Sequence, residues 1–431
     1  MEKVLLIGVD TGEEEDFDRS MEELKSLAKA CDKEVVGILT QKMETTNKAL
    51  YIGTGKVKEA KEFAGECEAE SVIFDNALSP TQIRNLGKEL DLPIMDRTNL
   101  ILDIFALRAQ TLEAKLQVET ARLQYMLPRL VGLRDSLSRQ GGTSGSMSNK
   151  GTGEKKLELD RRKIEHRITE LKKELKEVAK RRENQRKKRS ESRIPQVALV
   201  GYTNAGKSTL LNKMLSRFGD SPEKTVFEKD MLFATLETSV RRIEDQEHKP
   251  FFLADTVGFI HKLPHGLIKA FQSTLDEVKY ADLLIQVVDY SDDHYKQQMK
   301  VTEETLKEID AGDIPMIIVY NKADKKYEED LRQGTDSIKY PRTFENQIYM
   351  AASKEEGLDL LHAKIKEVLY AGNKECEFKI PYDKGGICSF LREHGTVREM
   401  KYLEDGILLQ VNCHAHDADK YSEYLTTNAK E

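Results

Sequence analysis

The sequence predicts a multidomain α/β protein: an N-terminal α/β domain over 1–95, an antiparallel helical hairpin over 96–190, a phosphate-loop domain over 195–371 and a small α+β domain over 375–431. Three observations carry that reading. A chain of 431 residues is longer than one hydrophobic core usually organises. Short apolar runs alternate with charged helical stretches in two separate parts of the chain. Between those parts lie two long apolar seams at helical spacing, joined by a Gly/Ser-rich piece.

In the first domain "KVLLIGVD", "EVVGILT" and "SVIFD" read as buried strands, separated by helical segments such as "SMEELKSLAKA". "YIGTGKVKEA" places Gly53, Gly55 and Lys56 close together, but without phosphate-loop spacing it reads as a turn before a helix. The first seam runs through Ile101, Phe105, Leu112, Leu116, Leu123, Met126 and Leu130, the second through Leu157, Ile164, Ile168, Leu171, Leu175 and Val178. A short Gly-rich connection makes the two helices antiparallel neighbours, with a tip loop over 139–154. The plainer alternative is that the tip is only a connector.

Charge is segregated along this chain. The total is −7, yet residues 155–193 hold 17 Lys and Arg against 8 Asp and Glu. Such asymmetry points to a polyanionic partner, nucleic acid first and anionic lipid second, with a solvated helix face as the plain alternative. After the linker "RKKRSESRIPQV", the α/β rhythm resumes in "QVALV", "PFFLAD", "DLLIQVVD" and "IPMIIVYN". In the last domain "CEFKIPYD", "VREMKYLED" and "GILLQVNCHA" read as strands and "GGICSFLREHG" as a helix.

The five cysteines, Cys31, Cys67, Cys376, Cys388 and Cys413, are odd in number and scattered, which argues against a disulfide framework or a zinc ribbon. "CHAHD" (Cys413, His414, His416, Asp417) has no partners at zinc spacing and reads as a strand end. No apolar run approaches a membrane span, so the expectation is a soluble cytoplasmic protein.

Chemistry concentrates in four stretches. "GYTNAGKS" (Gly201, Tyr202, Thr203, Asn204, Ala205, Gly206, Lys207, Ser208) follows a strand and opens a helix, as a phosphate loop must. Its glycines let backbone N–H groups face phosphates, Lys207 neutralises charge and Ser208 ligates Mg²⁺. "NKAD" (Asn321, Lys322, Ala323, Asp324) supplies a carboxylate that accepts two hydrogen bonds from guanine N1 and its 2-amino group, a donor pair adenine lacks. Asn321 is expected to brace the phosphate loop, with the stem of Lys322 over the base. "DTVGF" offers Asp255 as a second Mg²⁺-linked carboxylate, Thr256 and Val257 beside it, and Gly258 as a γ-phosphate sensor. "LFATLE" (with Phe233, Ala234, Thr235, Leu236 and Glu237) offers Thr235 as a Mg²⁺ and γ-phosphate ligand, Thr225 being a weaker candidate.

The GTP-binding core resembles translation-factor-class GTPases. More narrowly, "FDNALSPTQIRNL", "DRTNLILDIFALRAQTLEAKLQVETARLQYMLPRL", "EKKLELDRR", "LFATL", "DTVGFIHKLPHGLIKAF" and "NKAD" together resemble the HflX family over nearly the whole chain. The resemblance implies a GTPase that binds the large ribosomal subunit, hydrolyses GTP in response, and splits or rescues stalled ribosomes under stress. It also implies that the hairpin enters the intersubunit side of the subunit, its tip approaching the peptidyl-transferase centre. The tip departs from the family's compact GGxGxRGPGE-like loop: it is longer, has Thr152 at the proline position and lacks the arginine. The competing class is an RNA-binding scaffold switched by GTP, with hydrolysis incidental. ATP use through the N-terminal domain is a third possibility, disfavoured by the shortness of Gly53–Lys56.

For hydrolysis, Lys207, Thr235, Gly258 and Asn204 are the candidate residues. Phe259 stands where many GTPases place a water-orienting Gln. Asn204 resembles the asparagine of potassium-dependent GTPases, so K⁺ is a candidate cofactor beside Mg²⁺. Ala351 stands where the family commonly has Ser, so base contacts there are expected from the backbone of Ala352 and Ser353. His261 and His265 read as surface residues, and the protein as a monomer.

Overall fold

The computed structural model describes residues 1–12, 16–139, 150–191, 194–219, 232–233, 236, 238–244, 249–262, 264, 267, 272–334 and 338–426. The chain divides into two compact units, Met1–Lys180 with Lys229–Glu237 and Ile260–Ser273, and Arg181–Glu228 with Thr238–Phe259 and Thr274–Glu431.

The first unit is built on β1 (Glu2–Asp10), β2 (Lys33–Lys42), β3 (Ser71–Phe74) and β4 (Ile94–Asp96), a sheet of order β2-β1-β3-β4. All three pairings are parallel. Val4 to Ile7 and Val72 to Phe74 are fully buried, which is why these strands read as unbroken apolar runs. Helices α1 (Phe17–Ala30), α2 (Thr54–Glu66) and α3 (Pro80–Leu90) supply the crossovers. Ser79 and Gln82 form a capping box at the start of α3, with Pro80 in its first turn. Gly53 is the N-cap of α2, and Lys56 pairs with Glu59 at 2.7 Å.

The first seam is two helices. α4 (Arg97–Arg108) ends at Ala109, which is extended at φ −66°, ψ 110°, and α5 (Leu112–Arg139) starts anew. Thr111 Oγ1 accepts the Ala114 N–H at 3.2 Å, which caps α5. Ile101 and Phe105 are therefore core residues of the first unit, while Leu112 and Met126, expected on the seam, are exposed. α5 is tied to the sheet through Asp96: Tyr125 Oη donates to Oδ1 at 2.6 Å and Arg129 to Oδ2 at 3.2 Å. Burial and that carboxylate push the Tyr125 phenol above its usual range.

α6 (Lys150–Glu191) begins inside the stretch expected as the tip loop, so 150–154 are helical in backbone and 140–149 lie outside the described residues. A helical glycine costs only ~1 kcal/mol relative to Ala, so Gly151 and Gly153 do not stop a helix of this length. Among its described residues in the first unit Ile168 and Leu171 are buried, and Arg167 pairs with Glu119 of α5 at 2.9 Å.

The second unit contains a seven-stranded sheet of order β10-β11-β9-β8-β5-β7-β6. Its strands are β5 (Gln196–Val200), β6 (Ser239–Ile243), β7 (Phe251–Asp255), β8 (Leu283–Asp289), β9 (Met316–Asn321), β10 (Arg342–Phe344) and β11 (Gln347–Tyr349). Only β6 and β10, at its two edges, are antiparallel. The core over it includes Val197, Leu199, Leu210, Leu253, Ile285, Ile317 and Leu361. β12 (Asn373–Ile380), β13 (Thr396–Leu403) and β14 (Gly406–His414) form a separate antiparallel sheet covered by the helix Gly385–His394. Among the described residues no helix is long and apolar enough to cross a membrane.

Candidate nucleotide site

The site lies at the carboxyl ends of the parallel strands in the second unit. β5 runs between β8 and β7, and the chain order reverses there, the position at which open α/β sheets receive ligands. The loop Gly201–Gly206 leaves β5 and the helix α7 (Lys207–Phe218) follows, so its N-terminus faces the loop. Two glycines are required sterically. Gly201 has φ +141°, and a Cβ there would stand 2.2 Å from Val287 O. Gly206 has φ +96°, and a Cβ would stand 2.3 Å from Asn321 Nδ2.

Lys207 is buried, and its Nζ donates to Gly201 O at 3.1 Å and Tyr202 O at 2.8 Å. Burial pulls its pKa down to about 8, with the charge of Asp255 opposing the shift. Ser208 Oγ donates to Asp255 Oδ2 at 2.6 Å, so a hydroxyl and a fully buried carboxylate converge beside that ammonium. Thr256 Oγ1 donates to Leu199 O at 2.6 Å, anchoring the start of the DTVG loop to β5, and Val257 is buried. Gly258 packs on the phosphate loop: a Cβ there would stand 2.7 Å from Thr203 Cα and 2.9 Å from Lys207 Nζ. The next residue closes a two-bond bridge, Thr203 N–H to Phe259 O at 2.8 Å and Phe259 N–H to Gly201 O at 3.1 Å.

Asn321 ends β9 and joins two loops. Its Nδ2 donates to Ala205 O at 2.9 Å and its Oδ1 accepts the Ala352 N–H at 3.0 Å. The Ala352 N–H, expected at the base, is thus spent on Asn321. Ala323 N–H donates to Met350 O at 3.1 Å and Ala351 N–H to Glu356 O at 3.0 Å, fixing the turn that carries the exposed Ser353. Asp324 is buried, and its Oδ2 lies 3.1 Å from Lys354 Nζ, while its Oδ1 has no hydrogen-bond partner among the described residues. An acceptor left so at the end of a sheet suits a ligand with N–H donors.

Sequence reasoning missed two supporting residues. Lys322 Nζ reaches Asn204 O at 2.9 Å and Asp289 Oδ2 at 2.7 Å, so Asp289, at the end of β8, holds the lysine. Lys354 is the other. Its position after "AAS" and that of Asp289 after "DLLIQVV" were visible, but the pairings join residues 33 and 30 positions apart in the chain.

The candidates of "LFATLE" do not all fall within view. Ala234, Thr235 and Glu237, and Thr225 earlier, lie outside the described residues. Phe233 and Leu236 belong to the first unit, both buried, with the Phe233 ring edge-on to Phe105 at 4.8 Å. The Phe233 side chain is therefore committed to apolar contact.

A phosphate loop, a hydroxyl–carboxylate pair and a buried Asp324 in an NKAD loop, all at the carboxyl ends of the parallel strands of one sheet, define a P-loop GTPase. Family models agree: residues 18–106 match "GTP-binding GTPase N-terminal", 108–189 "GTP-binding GTPase Middle Region" and 196–322 "50S ribosome-binding GTPase". The GTPase HflX of Caldanaerobacter subterraneus subsp. tengcongensis is 43% identical, covering 96% of this chain and 91% of that one. The GTPase HflX of Escherichia coli is 36% identical, covering 95% and 93%. A GTP-binding protein from Sulfolobus solfataricus, solved in complex with GDP, is 26% identical over 85% of this chain and 98% of that one at a TM-score of 0.43. The chain belongs to the HflX family of GTPases.

Proposed function

We propose that this GTPase binds the large ribosomal subunit in the cytoplasm, as a monomer, and couples GTP hydrolysis to the splitting or rescue of stalled ribosomes under stress. The observation that supports the reading is that one chain carries both a phosphate loop with its Ser208–Asp255 pair and a helix, α6, whose basic excess suits a polyanion such as ribosomal RNA. The domain boundaries proposed for it are 1–95, 96–190, 195–371 and 375–431.

In this reading the N–H groups of Gly201–Ser208 cradle the phosphates and Lys207 neutralises their charge. Ser208, Thr235 and Asp255 would hold Mg²⁺, which would supply charge neutralisation on the phosphate oxygens. The donor set fits the ion: a hydroxyl and a carboxylate oxygen already 2.6 Å apart, both hard oxygens. Gly258 meets the terminal phosphate, flanked by Thr256 and Val257. Asp324 reads guanine, with Asn321, Lys322, Ala323, Ala351, Ala352 and Ser353 shaping the base pocket. Ala234, Leu236 and Glu237 frame Thr235, and Phe233 acts through packing.

Because Phe259 cannot orient water, activation falls to the subunit, and Asn204 would help hold a K⁺, which would supply the positive charge of an arginine finger. GTP turnover with and without isolated large subunits, in K⁺ and in Na⁺, tests this. Strong stimulation that Lys207→Ala abolishes is expected. Tight GTP binding without stimulation overturns it and favours a GTP-switched RNA-binding scaffold, a reading to which the absence of a Gln at position 259 already lends weight.

A further inference from the structure

Asn321 of β9 faces the phosphate loop, so Tyr320, one residue earlier, faces the opposite side of the same sheet. Tyr349 stands beside Tyr320 in the parallel register of β11 and β9, and their rings stack at 4.6 Å and 13°. Tyr290 follows β8, and Tyr295 opens the helix Tyr295–Glu308. Tyr290 lies 5.2 Å from Tyr349 and 5.4 Å from Tyr295, and Tyr295 lies 5.9 Å from Tyr320. Tyr320 is buried and the other three are half-buried. None of the four hydroxyls bonds a described residue. Burial and the neighbouring phenols push Tyr320 up to about 12 and raise Tyr290 as well, so these hydroxyls stay protonated donors.

Tyr349 also borders a cavity of about 180 Å³, lined besides by Ile338, Arg342, Phe344 and Gln347. Arg342 and Phe344 are alternate residues of β10 and stand opposite Tyr349 and Gln347, so one face of this ribbon carries a cation, two aromatic rings and an amide. Phe344 is 55% exposed. A cation stands at each end of the patch: Lys296 Nζ lies 6.0 Å from the centre of the Tyr295 ring, and Arg342 borders the cavity. Both are exposed, and neither has an ion-pair partner among the described residues. Asp330, the carboxylate that acts on Tyr290, is answered by Lys326, which also pairs with Asp293 and Glu329.

We propose that this face binds single-stranded RNA, with one base in the cavity against Phe344 and Tyr349 and with phosphates on Arg342 and Lys296. Aromatic rings interleaved with free cations suit a single strand, because every base has a face to stack and every phosphate a charge to neutralise. The tyrosine hydroxyls supply partners for 2′-hydroxyls, which DNA lacks. The cavity is smaller than the ~300 Å³ at which drug-sized pockets begin, and so takes a single ring. An extended peptide fits less well, since β10 is three residues long and too short an edge to template an added strand. The inference goes beyond the function proposed above: the patch lies on the other face of the sheet from the phosphate loop and uses none of the nucleotide-site residues.

The test is binding of a fluorescent oligouridylate to full-length protein across a salt series, compared between variants because α6 is a second basic surface. Phe344→Ala is expected to weaken binding by roughly fivefold or more, the loss of one stacked base, with the salt slope unchanged. Arg342→Gln is expected to weaken it and to lower the slope by about 0.7, one phosphate contact on a single strand. Both side chains are exposed, so the fold is retained, and an unchanged unfolding midpoint reports that. A thiouridine-containing oligomer should cross-link on irradiation to the peptide that carries Phe344 and Tyr349, and the deoxy oligomer should bind more weakly. Unchanged binding in both variants, or a cross-link that maps only to α6, overturns the site. Equal binding of the deoxy oligomer overturns the choice of RNA. Protection of 342–349 from amide exchange by large ribosomal subunits, but not by the oligomer, overturns it in favour of a protein partner.

Discussion

Ser208 Oγ and Asp255 Oδ2 are 2.6 Å apart although 47 positions separate them in sequence. The bond joins the first turn of α7 to the end of β7, and these two side chains would help hold a divalent cation in the function proposed above. Ser208→Ala removes one oxygen and leaves the fold, since the hydroxyl is only part-buried. GTP turnover at saturating nucleotide should fall by about 10–100-fold, the range seen when a metal's ligand environment is weakened. A Mg²⁺ titration of turnover should show a higher midpoint, and an unchanged midpoint counts against Ser208 as a ligand.

Lys207 links nucleotide binding to pH. Burial lowers its pKa from 10.5 to about 8 without ligand, and phosphate oxygens would raise it again. Above about pH 8, binding of GDP or GTP should therefore take up protons, detected calorimetrically in buffers of different ionisation enthalpy. Lys207→Ala should abolish that uptake. The same shift affects the free protein. Between about 8 and 10.5 the unfolded chain holds this proton more tightly, so the group's contribution to folding stability rises with pH through that window.

Asp324 should decide the base. Asp324→Asn replaces one acceptor by a donor, which mismatches one of the two N–H groups of guanine and suits the C2 carbonyl of xanthine. GTP affinity should drop by roughly 10–100-fold, about 1–3 kcal/mol, with XTP gaining in relative terms. Lys354→Ala should cost much less, under about 1 kcal/mol, because the lysine is partly exposed. Competition binding with GTP, XTP and ATP reads both effects.

Two glycines should respond oppositely to alanine. At Gly201 a Cβ meets a main-chain oxygen at 2.2 Å and φ is +141°, so Gly201→Ala should destabilise the fold by at least about 1–3 kcal/mol. At Gly55, inside α2, a Cβ meets nothing within 4 Å, and Gly55→Ala should be neutral or stabilise by up to about 1 kcal/mol. Denaturant unfolding distinguishes them.

Much of this protein was legible because local chemistry specified it. The long buried strands announced themselves as apolar runs, whereas Ile94–Asp96, Arg342–Phe344 and Gln347–Tyr349 are three residues each and carry no period. Ser239–Ile243 is an edge strand whose "SVRRI" mixes charge with apolar residues, so its pairing with β7 supplies the order. The break at Ala109 was hidden because apolar spacing continues across it and no Gly or Pro marks it.

By itself the sequence determined the class of GTPase: the phosphate loop, the DTVG stretch and the NKAD loop are contiguous motifs, and each must keep its spacing to work. Tertiary structure alone decided what holds those motifs. Lys322 rests on Asp289, Asp324 faces Lys354, and Lys262 ends on Asp75, 187 positions away. A lone Lys or Asp in a chain one-third charged carries no signal of its partner. Burial makes such a pair matter, and burial is fixed only when the sheets assemble.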